Sequence, residues 1–330
     1  MTGRPAARRA RIIVAAMAAV LVATVLANLL TGSPGNGGHP AVTPSPGHEL
    51  AWFAVGHDPS AIVFDGEAIW VAEAGDGTVA RLDLSGRRLV TADVGGRPAR
   101  LAAGDGLVWA LDTETGLASQ IGSDGTVNWS VLVGLAPSGI EYAGGAVWVS
   151  DPAGRTVTRL GPDGQVLARA SPAEEPSALA ARGDGILLVD AARGSILALD
   201  DVAEVTGEVR LPSAVPGPNG RQPPGAPGAM LVADDDIWLA FPEPGVVVRM
   251  TMAGEAQDFA AVSPGPVSLA FGRGELWVAA ETAASVTRVA PDGRVIETIE
   301  TGGTPTGIAY DGQSIWVAVD GFDQVVRITP

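Results

Sequence analysis

A tryptophan returns every 39 residues at one phase of this chain, at Trp70, Trp109, Trp148, Trp238, Trp277 and Trp316, with Leu187 filling the same slot in one unit. A fixed period of that length is the sequence signature of a radial repeat of small antiparallel sheets. The first apolar residue of each unit is Ile62, Leu101, Ile140, Leu179, Met230, Leu269 and Ile308, which gives seven units. Five of the six intervals between them are 39, and the one from Leu179 to Met230 is 51. The pattern predicts an all-β fold, a seven-bladed β-propeller over residues 50–330. Such a ring uses roughly 280 residues as one domain, so a length of 330 residues is no argument for a second one.

Within the first unit, Ile62 to Phe64 reads as the innermost strand a, Asp65-Gly66 as a turn and Ile69 to Ala72 as strand b. Thr78 to Leu82 reads as strand c, and after the Ser85-Gly86 turn the outer strand d runs to about Val94. A proline lies three residues before every start, at Pro59, Pro98, Pro137, Pro176, Pro227, Pro266 and Pro305. Because proline has no N–H for a ladder, this position is expected in the d-to-a loop. Turns such as Gly161-Pro162-Asp163-Gly164 supply the c-to-d connections. The last unit ends after strand c, at Arg327-Ile328-Thr329-Pro330, while Leu50 to Val55 matches the register of a strand d. The N-terminal strand should therefore complete the seventh blade and close the ring without exposed edges. Six copies of the same indole suit inter-blade packing; a ligand-binding aromatic would not need to recur in every blade.

The segment Ile12 to Leu30 is 19 residues with only Thr24 and Asn28 polar, about 28 Å of helix and close to the hydrocarbon thickness. Arg4, Arg8, Arg9 and Arg11 precede it with no acid among them, which assigns residues 1–11 to a cytoplasmic basic tail and the rest to the far side of the membrane. Residues 12–30 read as a transmembrane signal anchor, or as a signal peptide cleaved near Val25-Leu26-Ala27, which would release the domain. Residues 31–49, rich in proline and glycine, read as a disordered stalk.

Beyond residue 30 there are 17 arginines, no lysine and 37 carboxylates, a formal charge of −20. Such a surface repels nucleic acid and anionic headgroups, leaving residues 12–30 as the membrane link. The absence of cysteine excludes disulfides, thiolate metal sites, a cysteine nucleophile and a lipidated N-terminal cysteine.

Three residues after the tryptophan phase, blades one to four carry Glu73, Asp112, Asp151 and Asp190, where the later blades have Phe241, Ala280 and Val319. Four carboxylates in consecutive blades form a candidate crescent for Ca2+ or Mg2+, which prefer oxygen donors. The same residue type at the start of a loop also serves to accept backbone N–H bonds. Arg81 and Arg159, eight residues after Glu73 and Asp151, stand within diagonal reach as ion partners. The extra 12 residues of unit four fall near Val215 to Pro227, on the same face as the crescent, as a lid, a partner contact or plain slack. His57 and Asp58 with Arg221 of the insert complete the candidate ligand face. His39 and His48 fall in the stalk, so His57 alone reaches the propeller, too few for a three-ligand zinc site or a triad.

Units of the form P-x-G-I-A-Y-D-G-x-x-I-W-V-A (Pro305 to Ala318), followed by Val325 to Ile328, resemble the bacterial propellers grouped as NHL or YVTN repeats and, most closely, the virginiamycin B lyase (streptogramin lyase) family. The resemblance covers residues 50 to 330 and rests on packing and turn positions. It implies a magnesium-dependent enzyme that opens a cyclic depsipeptide by elimination, with a histidine base, a second histidine and a glutamate. In that family the first histidine directly follows a d-to-a proline; here those positions are Ser60, Ala99, Ser138, Ser177, Gly228, Val267 and Thr306. No histidine occurs after His57, although Glu73 lies in a post-tryptophan loop. Without a base of suitable pKa the lyase reaction should be absent. The expected function is that of a monomeric, membrane-tethered, extracytoplasmic propeller binding a protein, a cell-wall polymer or a small molecule. The alternatives are a magnesium-dependent C–O lyase with a non-standard site, an enzyme built on the carboxylate crescent, and a structural spacer.

Overall fold

The computed structural model describes residues 48–217 and 220–329. The basic tail, the apolar segment and residues 31–47 of the stalk lie outside the described residues. Seven four-stranded antiparallel sheets follow one another along the chain, the first made of Pro59–Phe64, Ile69–Glu73, Thr78–Leu82 and Arg88–Asp93 from inside to outside. Neighbouring innermost strands pack side by side, and Thr304–Tyr310 of the last blade returns to Pro59–Phe64 of the first, which closes the ring.

The seventh sheet takes its outer strand from the other end of the chain. Glu49–Ala54 pairs antiparallel with Gln324–Thr329, in a register that sets Leu50 opposite Ile328 and Phe53 opposite Val325. The strand begins one residue earlier than expected. His48, read from composition as stalk, instead tucks its side chain against the propeller: its Nε2 lies 2.7 Å from Glu297 Oε1 and its ring meets Trp277 edge-on at 6.4 Å. Joining the two chain ends in one sheet makes closure a non-local contact that removes two strand edges at once.

The prolines differ slightly from expectation. Pro59, Pro98, Pro176 and Pro266 are the first residues of innermost strands and Pro305 the second, while Pro137 and Pro227 precede theirs. A register shift follows each of the five paired prolines, so the ladder bulges where an N–H is missing.

Each of the six tryptophans of the repeat is a wedge driven into the next blade. Trp70 packs among Leu101, Val108 and Ile121, Trp148 among Leu179, Ile186 and Leu188, and Trp316 among Ile62, Ile69 and Val71 across the closure. All six are at most 2 % exposed. Burying each removes about 150 to 250 Å2 from water, an upper bound of about 4 to 6 kcal/mol. Leu187 takes the same place between blades four and five, against Met230, Ile237 and Leu239.

The 12-residue insert is not a structureless loop. Val215–Gly217 and Gly220–Gln222 form a two-stranded hairpin. Val215 is fully buried in the cluster containing Phe241, Val246 and Val248 of blade five. An apolar residue among the prolines and glycines gives the segment a core contact that its composition hides.

Candidate functional site

The face bearing the d-to-a and b-to-c loops holds the four carboxylates, and their bonding decides what that face is. Glu73, Asp112, Asp151 and Asp190 are 1, 7, 2 and 0 % exposed. Each turns back to the loop that enters its own blade. Asp112 Oδ2 accepts the Arg97 N–H at 2.9 Å while Oδ1 accepts those of Glu114 and Thr115. Asp151 accepts the N–H groups of Leu135 and Ala136 at 2.8 and 3.2 Å, and Asp190 those of Glu174, Glu175 and Arg193 at 3.0 to 3.3 Å. Burial pushes the Asp112 carboxyl up, and the N–H bonds outweigh it, holding the group below the usual carboxylate range.

Glu73, one methylene longer, does the same with more partners. Its Oε1 accepts the Gly56 N–H and its Oε2 the Thr78 hydroxyl, both at 2.6 Å, and Arg88 from the outer strand clasps both oxygens at 2.6 and 3.1 Å. The loop glycines are part of this arrangement. A Cβ at Gly134 would meet Asp151 Oδ2 at 2.4 Å, and one at Gly56 would meet the Glu73 carboxyl carbon at 2.7 Å. The four carboxylates therefore act in four separate loops, and among the described residues no group of three or more metal-ligating side chains could hold an ion. The magnesium that the lyase resemblance implies finds no such donor set here.

The expected ion pairs from Arg81 and Arg159 to the crescent are not the ones formed. In the ladder Arg81 stands directly opposite Trp70, and Arg159 opposite Trp148. Glu73 is three residues from Trp70, so it points to the other face of the sheet. Arg81 lies over the Trp70 ring at 5.7 Å and bonds Glu67 at 3.3 Å, while Arg159 lies over Trp148 at 5.5 Å. Arg249, Arg288 and Arg327 repeat the stack on Trp238, Trp277 and Trp316 at 5.4 to 5.7 Å. Several of these side chains continue into the next blade's c-to-d turn: Arg159 donates to Asp201 O at 3.1 Å, Arg249 to Pro291 O at 2.7 Å and Arg327 to Leu84 O at 2.6 Å. In blade two Gln120 makes the same tie, to Pro162 O at 2.8 Å, and Tyr142 stacks on Trp109 at 5.0 Å in place of the guanidinium. An arginine eleven residues after the tryptophan in five units was a readable signal of this second inter-blade device.

The rest of the face is charged and open. His57, exposed, sets Nδ1 2.8 Å from Asp323 Oδ2, across the junction of the first and last blades. Its pKa is raised by the Asp323 hydrogen bond and charge and by Asp76 and Asp58. Asp58 pairs with Arg97 of the next inter-blade loop at 3.3 Å, and Arg97 also faces Glu114 at 3.6 Å. Arg221 does not join them: it lies over Phe259 at 5.3 Å and donates to Ala214 O, pinning the hairpin to blade five.

Where the lyase family carries its first histidine, this chain has small or hydroxyl side chains turned to packing. Ser60 Oγ donates to Pro98 O and Thr306 Oγ1 to Pro59 O, both at 2.6 Å and both from one blade into the next.

No protein-family profile and no curated protein matches the chain. Solved structures do. A catalytically inactive virginiamycin B lyase from Staphylococcus aureus, solved with quinupristin, superposes with a TM-score of 0.70 at 19 % identity, covering 86 % of this chain and 99 % of that one. A streptogramin B lyase gives 0.69 at 17 % identity, with 86 % and 97 % covered. The WD40 repeats of RRP9 give 0.68 at 12 % identity, with 85 % and 97 % covered. At these identities the likeness shows the fold: the chain is a seven-bladed β-propeller, similar to virginiamycin B lyase and to other propellers.

Proposed function

We propose that this propeller binds a ligand without transforming it, held outside the cytoplasmic membrane as a monomer by residues 12–30. The observation that carries the reading is the use made of the lyase-like face. Its buried carboxylates are spent on loop N–H groups, and Ser60 and Thr306 button blades together. Nothing in that arrangement supplies a positioned base, while the exposed charges of His57, Asp58, Arg97 and Glu114 remain available to a partner. A propeller offers a rigid rim of loops, which suits a protein, a cell-wall polymer or a small molecule. The test has two arms. Purified domain incubated with a type B streptogramin, with and without Mg2+, should leave the ring intact; turnover abolished by Glu73→Gln would overturn the reading. Membrane fractions should retain the full-length chain through alkaline extraction and lose it when residues 12–30 are removed.

A further inference from the structure

The innermost strands enclose a central channel, and the repeat makes its exceptions visible. In the seven units, the two positions flanking the first apolar residue are Ala, Gly, Ser, Val or Leu except at Arg100 and Glu141, in adjacent blades. Two cavities of about 420 and 320 Å3 lie along the channel and share Ile62, Leu101, Glu141, Leu269 and Ile308. Arg100 lines the larger, which reaches Ser60 and Thr306 at the loop-bearing end. The smaller continues toward Phe271 and Tyr310 at the other end.

Neither charge forms an ion pair among the described residues, although Glu281 also lines the larger cavity. Arg100 Nη1 donates to the neighbouring Ala99 carbonyl, and its only charged influence is the coulombic field of Glu281. The Glu141 carboxylate accepts one bond, from the Tyr142 N–H at 3.0 Å. Water reaches into the channel, where Arg100 is exposed and Glu141 half-buried, yet the ring of blades packs protein densely around both groups. Burial holds Arg100 below its ordinary pKa and pushes Glu141 up to about 7, against the smaller opposing effects of Glu281 and the Tyr142 N–H. A fold that places Ala, Gly, Ser, Val or Leu at the equivalent positions of other blades has no packing need for either charge. Ionisable groups without an ion-pair partner, in a ligand-sized concavity that combines aliphatic side chains with polar surface, are the pattern of a binding site.

We propose that the channel is a binding site for a small organic anion with an apolar body and an N–H or O–H donor, its anion paired with Arg100 and its donor held by Glu141. The site is separate from the exposed rim charges and stands or falls independently of them. A matched pair of dyes tests it: 1-anilinonaphthalene-8-sulfonate, which has the anion, the rings and the N–H, and N-phenyl-1-naphthylamine, which lacks only the sulfonate. Arg100→Ala and Glu141→Ala place in these blades the residue that Ala61 and Ala102 already supply, so the fold should tolerate both; unchanged circular dichroism and melting confirm it. By fluorescence titration and calorimetry the parent should bind the sulfonate with one-to-one stoichiometry. Arg100→Ala should weaken it about ten- to a hundredfold while leaving the neutral dye unchanged. Glu141→Ala should weaken both dyes by a similar factor, about three- to tenfold. Equal sulfonate affinity in parent and Arg100→Ala, or many weak sites as expected from dye adhering to exposed Leu132, Val166 and Leu167, would overturn the proposal.

Discussion

The seam between blades three and four and the seam between blades four and five meet the same packing requirement with different residues. In the first, Trp148 fills the gap, Arg159 covers the indole and ties to Asp201, and Asp190 holds the connecting loop by its N–H groups. In the second, Leu187 and Ala198 stand where the pair should be, directly opposite each other in the ladder. A cavity of about 260 Å3 lined by Leu187, Ala198, Ile237 and Met252 remains. The carboxylate is replaced as well. Phe241 occupies its phase and packs with Val215 of the hairpin, so an apolar clamp does there what a charged staple does in blades one to four. The three substitutions belong together: without the guanidinium tie and the N–H staple, the fourth seam depends on a longer connection that brings its own core residue.

The sharpest test of that contrast is truncation. Trp148→Ala removes a fully buried indole whose surroundings are set by two rigid sheets, and should cost about 3 to 5 kcal/mol. Leu187→Ala enlarges a space already partly open and should fall near the low end for such changes, about 2 kcal/mol. Denaturant midpoints at constant slope measure both. Equal losses would mean that the two seams are mechanically alike, and the comparison would fail.

The loop staples come next. Asp190→Ala leaves the N–H groups of Glu174 and Glu175 without their acceptor and should cost about 1 to 3 kcal/mol. Val215→Ala removes two methyls from the apolar clamp, about 1 to 2 kcal/mol. Melting of the parent should be the same in EDTA and in millimolar calcium or magnesium. A cation-dependent rise that vanishes in the double variant Asp112→Asn with Asp151→Asn would reinstate a metal role for the crescent.

The blade count, the inter-blade tryptophans and the split seventh blade were readable because they repeat or complete a period, and periodic burial is what a sequence records most directly. The arginine ties repeat just as faithfully. Spacing alone did not disclose them, since eight residues from Glu73 and eleven from Trp70 describe the same Arg81, and only the ladder register decides which face it shares. The crescent was legible as a phase, but not its direction: whether a loop-starting carboxylate faces an ion or a backbone N–H depends on loop geometry at ångström scale. The hairpin escaped because proline and glycine dominate its composition while one residue, Val215, fixes its place. Arg100 and Glu141 stood out only once the positions lining the channel were known.

If the fourth seam lacks a paired device rather than a compatible shape, restoring the pair should strengthen it. Leu187→Trp with Ala198→Arg puts the indole and guanidinium into the existing cavity and should gain up to about 1 kcal/mol. Either single substitution should give less, because the stack needs both rings and charge; a coupling near zero in the double-mutant cycle would show that the seam's shape rejects the motif.

The smallest expected effect concerns the seam at which the ring closes, which adds an exposed clasp to its tryptophan: His57 Nδ1 on Asp323 Oδ2, with the Val55 N–H on Asp323 O beside it. The folded state raises the His57 pKa above 6.5, chiefly through the Asp323 hydrogen bond and charge, with Asp76 and Asp58 adding to it. Folding thus favours the protonated ring. The clasp contributes fully below about 6.5, the unfolded histidine value, and the contribution is lost as pH rises through the higher folded value. The parent should therefore lose a little thermal stability across that window, the loss should shrink at 1 M salt, and His57→Gln should flatten it. The imidazole resonance absent from His57→Gln should titrate above 6.5 in the parent. A resonance titrating at or below that value, or a variant with the parent's slope, would show that the His57 clasp adds nothing to a closure already held by Trp316, the Arg327 and Thr306 ties and the terminal strand pair.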